Sequence, residues 1–169
     1  MTIERTDLPA ALDERTILLT MLDYTRKTAL AKCEGISDED ARKAPLSGSP
    51  MMTVSGVVSH MRWVEHSWIE SRLLGREDDG PWTDEDPDRE FHYMLDQPLS
   101  DTLDAYVEQS RQYDEMFKDF DLDKVAVETV RSGRQVTFRW ILFHLIEENA
   151  RHNGHLDILR ELADGVTGA

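Results

Sequence analysis

Apolar residues recur at intervals of three and four along four long stretches of the chain, and clusters of Pro, Gly, Ser and Asp separate those stretches. This spacing predicts four amphipathic helices. The first runs from about Leu12 to Lys32, with Ile17, Leu18, Met21, Leu22 and Leu30 as its stripe and Asp13, Glu14, Arg15, Arg26 and Lys27 mostly on the solvated side. A connector rich in cap and turn residues follows, through Ser37 to Asp40 and Pro45 to Pro50. The second helix is expected from about Thr53 to Leu74, closed by Gly75, with Val57, Met61, Val64 and Trp68 facing inward. The third is expected from Asp101 to about Phe120 behind Ser100 as N-cap, with Leu103, Tyr106, Val107, Tyr113 and Phe117 at helical spacing. The fourth covers about Phe138 to Ala163 and stops before Asp164 and Gly165.

The stretch from Arg76 to Pro98 holds nine acidic residues and three prolines, which predicts a long solvated loop with a short turn near Phe91. Residues 124–137 suit either a hairpin-like excursion or an extended connector. No repeat and no low-complexity segment is visible. Four helices of similar length without a dependable strand predict an all-α protein, an antiparallel four-helix bundle forming a single domain over residues 1–169.

Charge and cysteine usage narrow the functional classes. The 169 residues carry 34 acids against 19 bases, a formal charge of −15. Such a surface repels a phosphate backbone, so nucleic acid is not the expected partner. No apolar run approaches the roughly 20 residues of a membrane-spanning helix, so no membrane is expected either. Cys33 is the single cysteine, which excludes an internal disulfide and agrees with a reducing cytoplasm. The N-terminal residues lack the basic-then-apolar order of an export signal, which points the same way. Cys33 closes an amphipathic helix with no His beside it, and a structural role is expected of it rather than a nucleophilic one.

The chemistry concentrates on the inward face of the fourth helix. Ile141, Leu145, Leu159 and Leu162 fall on one side, and His144, Glu148, His152 and His155 project from that same side. Polar groups placed where a bundle wants apolar ones need partners, because an unpaired buried carboxylate costs several kcal/mol or shifts its pKa far. The second helix supplies one at the edge of its stripe, His60, whereas His66 is phased to the opposite side. Glu148 and His152, four residues apart, can chelate one ion from a single helix face. With His60 they make two imidazoles and one carboxylate, the ligand count of a catalytic zinc site and of a non-haem iron site. The spacing leaves His144 and His155 open as substitute ligands, as hydrogen-bonding neighbours of a ligand, or as partly exposed side chains with no part in the site. Taken singly, His60 reads as a hydrogen-bonded core histidine, and Glu148 with His152 as an ion pair worth tenths of a kcal/mol. The convergence of all three on one core favours the metal. No phosphate-binding glycine loop, Cys-x-x-Cys, zincin or nucleophile-elbow motif is present.

Two segments resemble a known superfamily. VSGVVSHMRWVEHSW over residues 54–68 looks like the second helix, and HLIEENARHNGHLDILR over residues 144–160 like the last helix, of the DinB/YfiT-like superfamily. The pattern Glu-x-x-x-His-x-Gly-His-x-Asp, starting at Glu148, is particularly like its actinobacterial branch. The resemblance implies a four-helix bundle, often homodimeric, holding a divalent metal through His60, Glu148 and His152. Zinc is the first expectation, with nickel, iron and manganese as alternatives. Most of the superfamily has a third histidine where this chain has Glu148. The two-His-one-Glu version is similar to the metal-binding domain of mycothiol-dependent maleylpyruvate isomerase, which carries a further C-terminal domain that has no counterpart before Ala169.

The resemblance therefore implies a metal-dependent enzyme that activates mycothiol or a similar thiol for S-transfer or isomerisation of a small electrophilic substrate. His155, or a bound water, is the expected catalytic, proton-handling group. Two other readings stay open at this point: the same site activating water for hydrolysis, and a non-catalytic bundle that binds a small molecule or another protein.

Overall fold

In the computed structural model, which describes residues 3–130 and 132–167, the secondary structure is helical, with one isolated antiparallel bridge and no strand among the described residues. The helices are α1 (Glu14–Lys32), the short α2 (Asp38–Ala41), α3 (Val54–His66), α4 (Leu99–Phe117) and α5 (Phe138–Asp164). Side-chain caps explain most of the starts. Asp13 accepts from the Thr16 amide at 3.0 Å, Ser37 from the Asp40 amide at 3.0 Å, and Thr53 from the Gly56 amide at 2.8 Å. Helix α4 departs from the expected Ser100 cap. It begins at Leu99, whose amide donates to Asp38 Oδ1 at 2.9 Å, so the cap comes from α2 across the fold.

Beyond His66 the α3 helix widens into a π-helical run, Ser67–Leu73. Gly75 ends it with φ of +68°, a conformation glycine adopts without strain, and any Cβ there would lie 2.5 Å from Val127. Residues 124–137 are hairpin-like. Val125 bridges Thr137, the Ala126 amide donates to Val136 O at 2.8 Å, and the Glu128 amide donates to Arg72 O at 3.0 Å. That last bond satisfies a carbonyl the end of the π run would leave open.

Helix α1 packs on α5 and α4, and α3 packs on both α5 and α4. The apolar core falls into two clusters. Leu18, Leu22, Ile69, Phe117, Phe138 and Leu145 belong to one, and Ala29, Val57, Met61, Tyr106, Leu156 and Leu159 to the other. Between the two sets each long helix carries buried polar residues: Thr25 and Arg26 on α1, Glu65 on α3, Gln109 on α4, and Asn149, His152 and Asn153 on α5. Several of them bond to one another. Arg26 makes a two-pronged pair with Glu65, at 2.9 and 2.5 Å, and reaches Asp114 at 2.7 Å. Asn153 Nδ2 donates to Thr25 O at 2.9 Å. A polar layer thus crosses the middle of the core, and the candidate site opens from it.

Several sequence expectations need correction. Arg26, assigned to the solvated side of the first helix, is 3% exposed because Glu65 and Asp114 draw it inward. Ile17 and Leu162, assigned to apolar stripes, are exposed. The acidic stretch after Gly75 is not wholly solvated. A 3-10 turn at Arg89–Phe91 packs on α3, with Ser59 Oγ donating to Glu90 O at 2.5 Å. The close approach needs Gly56, where a Cβ would stand 2.6 Å from Phe91 O.

Candidate metal centre

Helices α3 and α5 bring His60, Glu148 and His152 together, with one donor atom from each within 4.8 Å of the others. His152 Nε2 lies 3.5 Å from Glu148 Oε2, near the ~3.4 Å edge of a tetrahedron built on ~2.1 Å metal–ligand bonds. The rings of His60 and His152 meet edge to face, with centroids 4.8 Å apart.

Each imidazole is held from behind. His60 Nδ1 lies 3.1 Å from Glu90 Oε1, and its ring stacks on Phe91 at 4.3 Å. A proton on Nδ1, donated to the carboxylate, leaves the Nε2 lone pair to face an ion. His152 Nδ1 lies 3.2 Å from His155 Nδ1, which again reserves Nε2 for the side occupied by Glu148. Burial, with the repulsion of His60, His155 and Arg151 against a protonated ring adding to it, pushes the His152 pKa down to about 4. Its imidazole is therefore neutral at pH 7, the form that binds metal. Two imidazoles and a carboxylate on facing helices fit a divalent cation with open positions.

The remaining candidates divide clearly. His155 touches His152 on the side away from Glu148, and so stands behind the three donors. His144 Nε2 approaches Glu148 Oε1 at 3.6 Å, and its ring meets Trp68 edge-on and stacks on Trp140. Burial holds the His144 pKa below its usual value. A second grouping, His144 with Glu147 and Glu148, is more open to solvent. His66 points elsewhere, as its helical phase requires: Nε2 pairs with Asp79 at 2.6 Å, and Nδ1 faces Tyr113 Oη at 3.3 Å. Arg151 bridges Glu147 and Glu148, and so touches the donor set from its solvent side: it reaches Glu148 Oε2, the oxygen nearest His152, at 3.2 Å. Cys33 is buried, which pushes its thiol pKa up to about 12, so it is not the nucleophile.

Glu90 is the neighbour of the three donors that the sequence concealed. It lies thirty residues from His60, inside a run of acids whose other members face solvent, and no periodicity marks it. Next to the three donors, a cleft of about 510 Å³ opens between the π run and the start of α5, with Glu148 and His144 on its inner side and Trp68, Trp140 and Arg72 along it.

Fold and site together define an all-helical protein with a facing-helix His, Glu, His set. The family model for mycothiol-S-transferase matches residues 17–165, and the chain belongs to that family, within the DinB/YfiT-like superfamily. No curated protein and no solved structure matches the chain. No helix among the described residues is long and apolar enough to cross a membrane.

Proposed function

We propose that this protein is a metal-dependent mycothiol S-transferase whose ion is held by His60, Glu148 and His152. The observation that carries the reading is the convergence of these three donors in a chain of the mycothiol-S-transferase family. We take the four long helices as an antiparallel four-helix bundle, the chain as one domain, zinc as the resident ion, and a cytoplasmic homodimer as the working form.

A bound divalent ion would lower the pKa of a coordinated thiol and supply thiolate near pH 7. The chain's own residues do the rest. Glu90 keeps the His60 proton on Nδ1, and His155 keeps the far nitrogen of His152 engaged, so both rings present Nε2 inward. His155 thereby handles a proton at His152 Nδ1 rather than at the substrate. The cleft beside Glu148 admits the reactants. In the transfer the thiolate sulfur forms a bond to the electrophilic carbon, the leaving group departs with its electron pair, and the thiol proton passes to solvent.

The test is metal analysis of protein purified without a His tag, then conjugation of mycothiol to a panel of electrophiles with and without chelator. Stoichiometric metal and chelator-sensitive conjugation are expected. Conjugation that survives complete removal of the metal would overturn the metal-dependent reading. Stoichiometric metal without conjugation to any electrophile would instead favour a hydrolase or a non-catalytic binder.

A further inference from the structure

We infer that the cleft lined by Trp68, Arg72, Trp140 and Ser132 binds the polyhydroxylated, sugar-like part of the thiol cosubstrate; the inference rests on the thiol reading above and adds where the thiol's carrier group lies. The cleft has a volume of about 510 Å³, inside the roughly 300–1,000 Å³ usual for small-molecule sites. Glu148 belongs both to its wall and to the three converging donors. A molecule seated here can therefore extend a short arm to the ion position.

The lining chemistry selects the ligand class. Trp68 and Trp140 stand with ring centroids 5.5 Å apart and a 52° tilt, and Trp140, stacked on His144 on one face, is 44% exposed. Beside these indoles lie the hydroxyls of Ser67 and Ser132 and the Arg72 guanidinium. Arg72 spends one N–H on Thr129 O at 3.0 Å and makes no ion pair among the described residues. An aromatic face next to hydroxyl and guanidinium donors suits a saturated ring that carries C–H bonds on one face and hydroxyls around its edge. The C–H face stacks on the indole, and the hydroxyls bond to the polar groups. A wholly apolar electrophile would bury those polar groups without partners. A multiply charged anion would meet Glu148 and the −15 charge of the chain. Mycothiol meets the requirement, being a cysteine thiol on a glucosamine–inositol pair.

The probe is the glucosamine–inositol fragment without its cysteine, titrated calorimetrically into the metal-loaded full-length protein. We expect saturable binding by the wild type, weakening of at least tenfold in Trp140→Ala, and near-normal binding in Trp140→Phe, which keeps an aromatic face. His60→Ala should lose metal and still bind the fragment, which separates the cleft from the ion. In turnover, Trp140→Ala should raise KM for mycothiol and leave KM for the electrophile unchanged. Unchanged fragment binding in Trp140→Ala overturns the assignment, as does a KM effect confined to the electrophile, or no fragment binding by a protein that conjugates mycothiol. Fragment binding lost in Trp140→Ala, in a protein that conjugates nothing, would remove the transferase reading and leave the cleft assignment standing. Absence of both fragment binding and conjugation removes both.

Discussion

Glu90 Oε1 lies 3.1 Å from His60 Nδ1, and this contact ties an acidic loop to the inward face of α3. Glu90 is only 7% exposed, and its second oxygen is buried without a hydrogen-bond partner among the described residues. Holding a carboxylate there is costly unless it faces positive charge or a strong donor. His60 is the donor, and a cation at the far side of its ring would repay the burial further. On the proposed function the relationship is that of a carboxylate orienting a metal-binding histidine.

Glu90→Ala should therefore weaken metal binding by roughly 10- to 100-fold without abolishing it. Glu90→Gln keeps an acceptor for the Nδ1 proton and should fall between the wild type and the alanine variant. Competition against a chromophoric chelator measures both. Equal affinity in all three proteins would show that Glu90 does not act through His60.

Removing a donor should act differently from removing a support. His60→Ala, Glu148→Ala and His152→Ala each delete one of three converging groups, and each should leave sub-stoichiometric metal after dialysis. His66→Ala should retain a full complement, because Asp79 and Tyr113 hold that ring away from the site. His155→Ala should keep measurable metal while activity falls, since it touches only the far nitrogen of His152. Loss of all metal in His155→Ala, with retention in Glu148→Ala, would show that the donors have been misassigned.

The polar layer carries a stability prediction. Arg26 and Glu65 are 3% and 1% exposed and bond through two N–H···O contacts. Burial pushes the Glu65 pKa up and the guanidinium opposes it. Truncating one member strands the other's charge in the core, so Glu65→Ala should cost about 3–5 kcal/mol in denaturant unfolding. The exposed pair Lys27–Asp23 offers the contrast, and Asp23→Ala should cost about 1 kcal/mol or less. Similar losses at both sites would mean that the buried pair adds no more than a surface one.

How far the sequence reveals this molecule depends on how local each signal is. Helical phase placed His60, Glu148 and His152 on one side and turned His66 away from them, because those positions are fixed by the rise and turn of one helix; that His66 is nonetheless half-buried against Tyr113 depends on α4 and was not legible. Gly75 and Gly165 marked helix ends for the same reason. What depends on contacts distant in sequence was hidden. Arg26 reads as a surface cation until Glu65, thirty-nine residues on, is seen beside it. Asp38 caps α4 from sixty-one residues away, so Ser100 looked like the better cap. Glu90 is one acid in a run of them, and only the close approach at Gly56 reveals that it turns inward. The change from α to π geometry after His66 likewise has no periodic signature, although it sets where Trp68 and Arg72 face.

Cys33 should behave as an inert core residue. With its thiol raised to about 12 by burial, little thiolate exists at pH 8.5, so alkylation of the folded protein should be slow. Unfolding in guanidinium should release ordinary thiol reactivity. Rapid labelling of the native protein, checked by mass spectrometry, would contradict the burial that sets this pKa.

The pH dependence of the metal-free protein follows from His152. Its folded pKa is depressed to about 4 from the ordinary 6.5, chiefly by burial, so between these values the unfolded chain binds the extra proton and the folded chain does not. Stability must then rise with pH across that window. The contribution is complete above pH 6.5, declines as pH falls toward 4, and changes no further below it. Carboxylates titrate in the lower part of the same range, so the comparison is made against His152→Gln, which carries no proton to exchange. The difference in unfolding free energy between chelator-treated wild type and His152→Gln should shift against the wild type as pH drops from 7 to 4.5. A difference that stays constant over that interval would mean that His152 takes up its proton equally well in the folded protein. The ring would then not be the neutral, preorganised donor that the site requires.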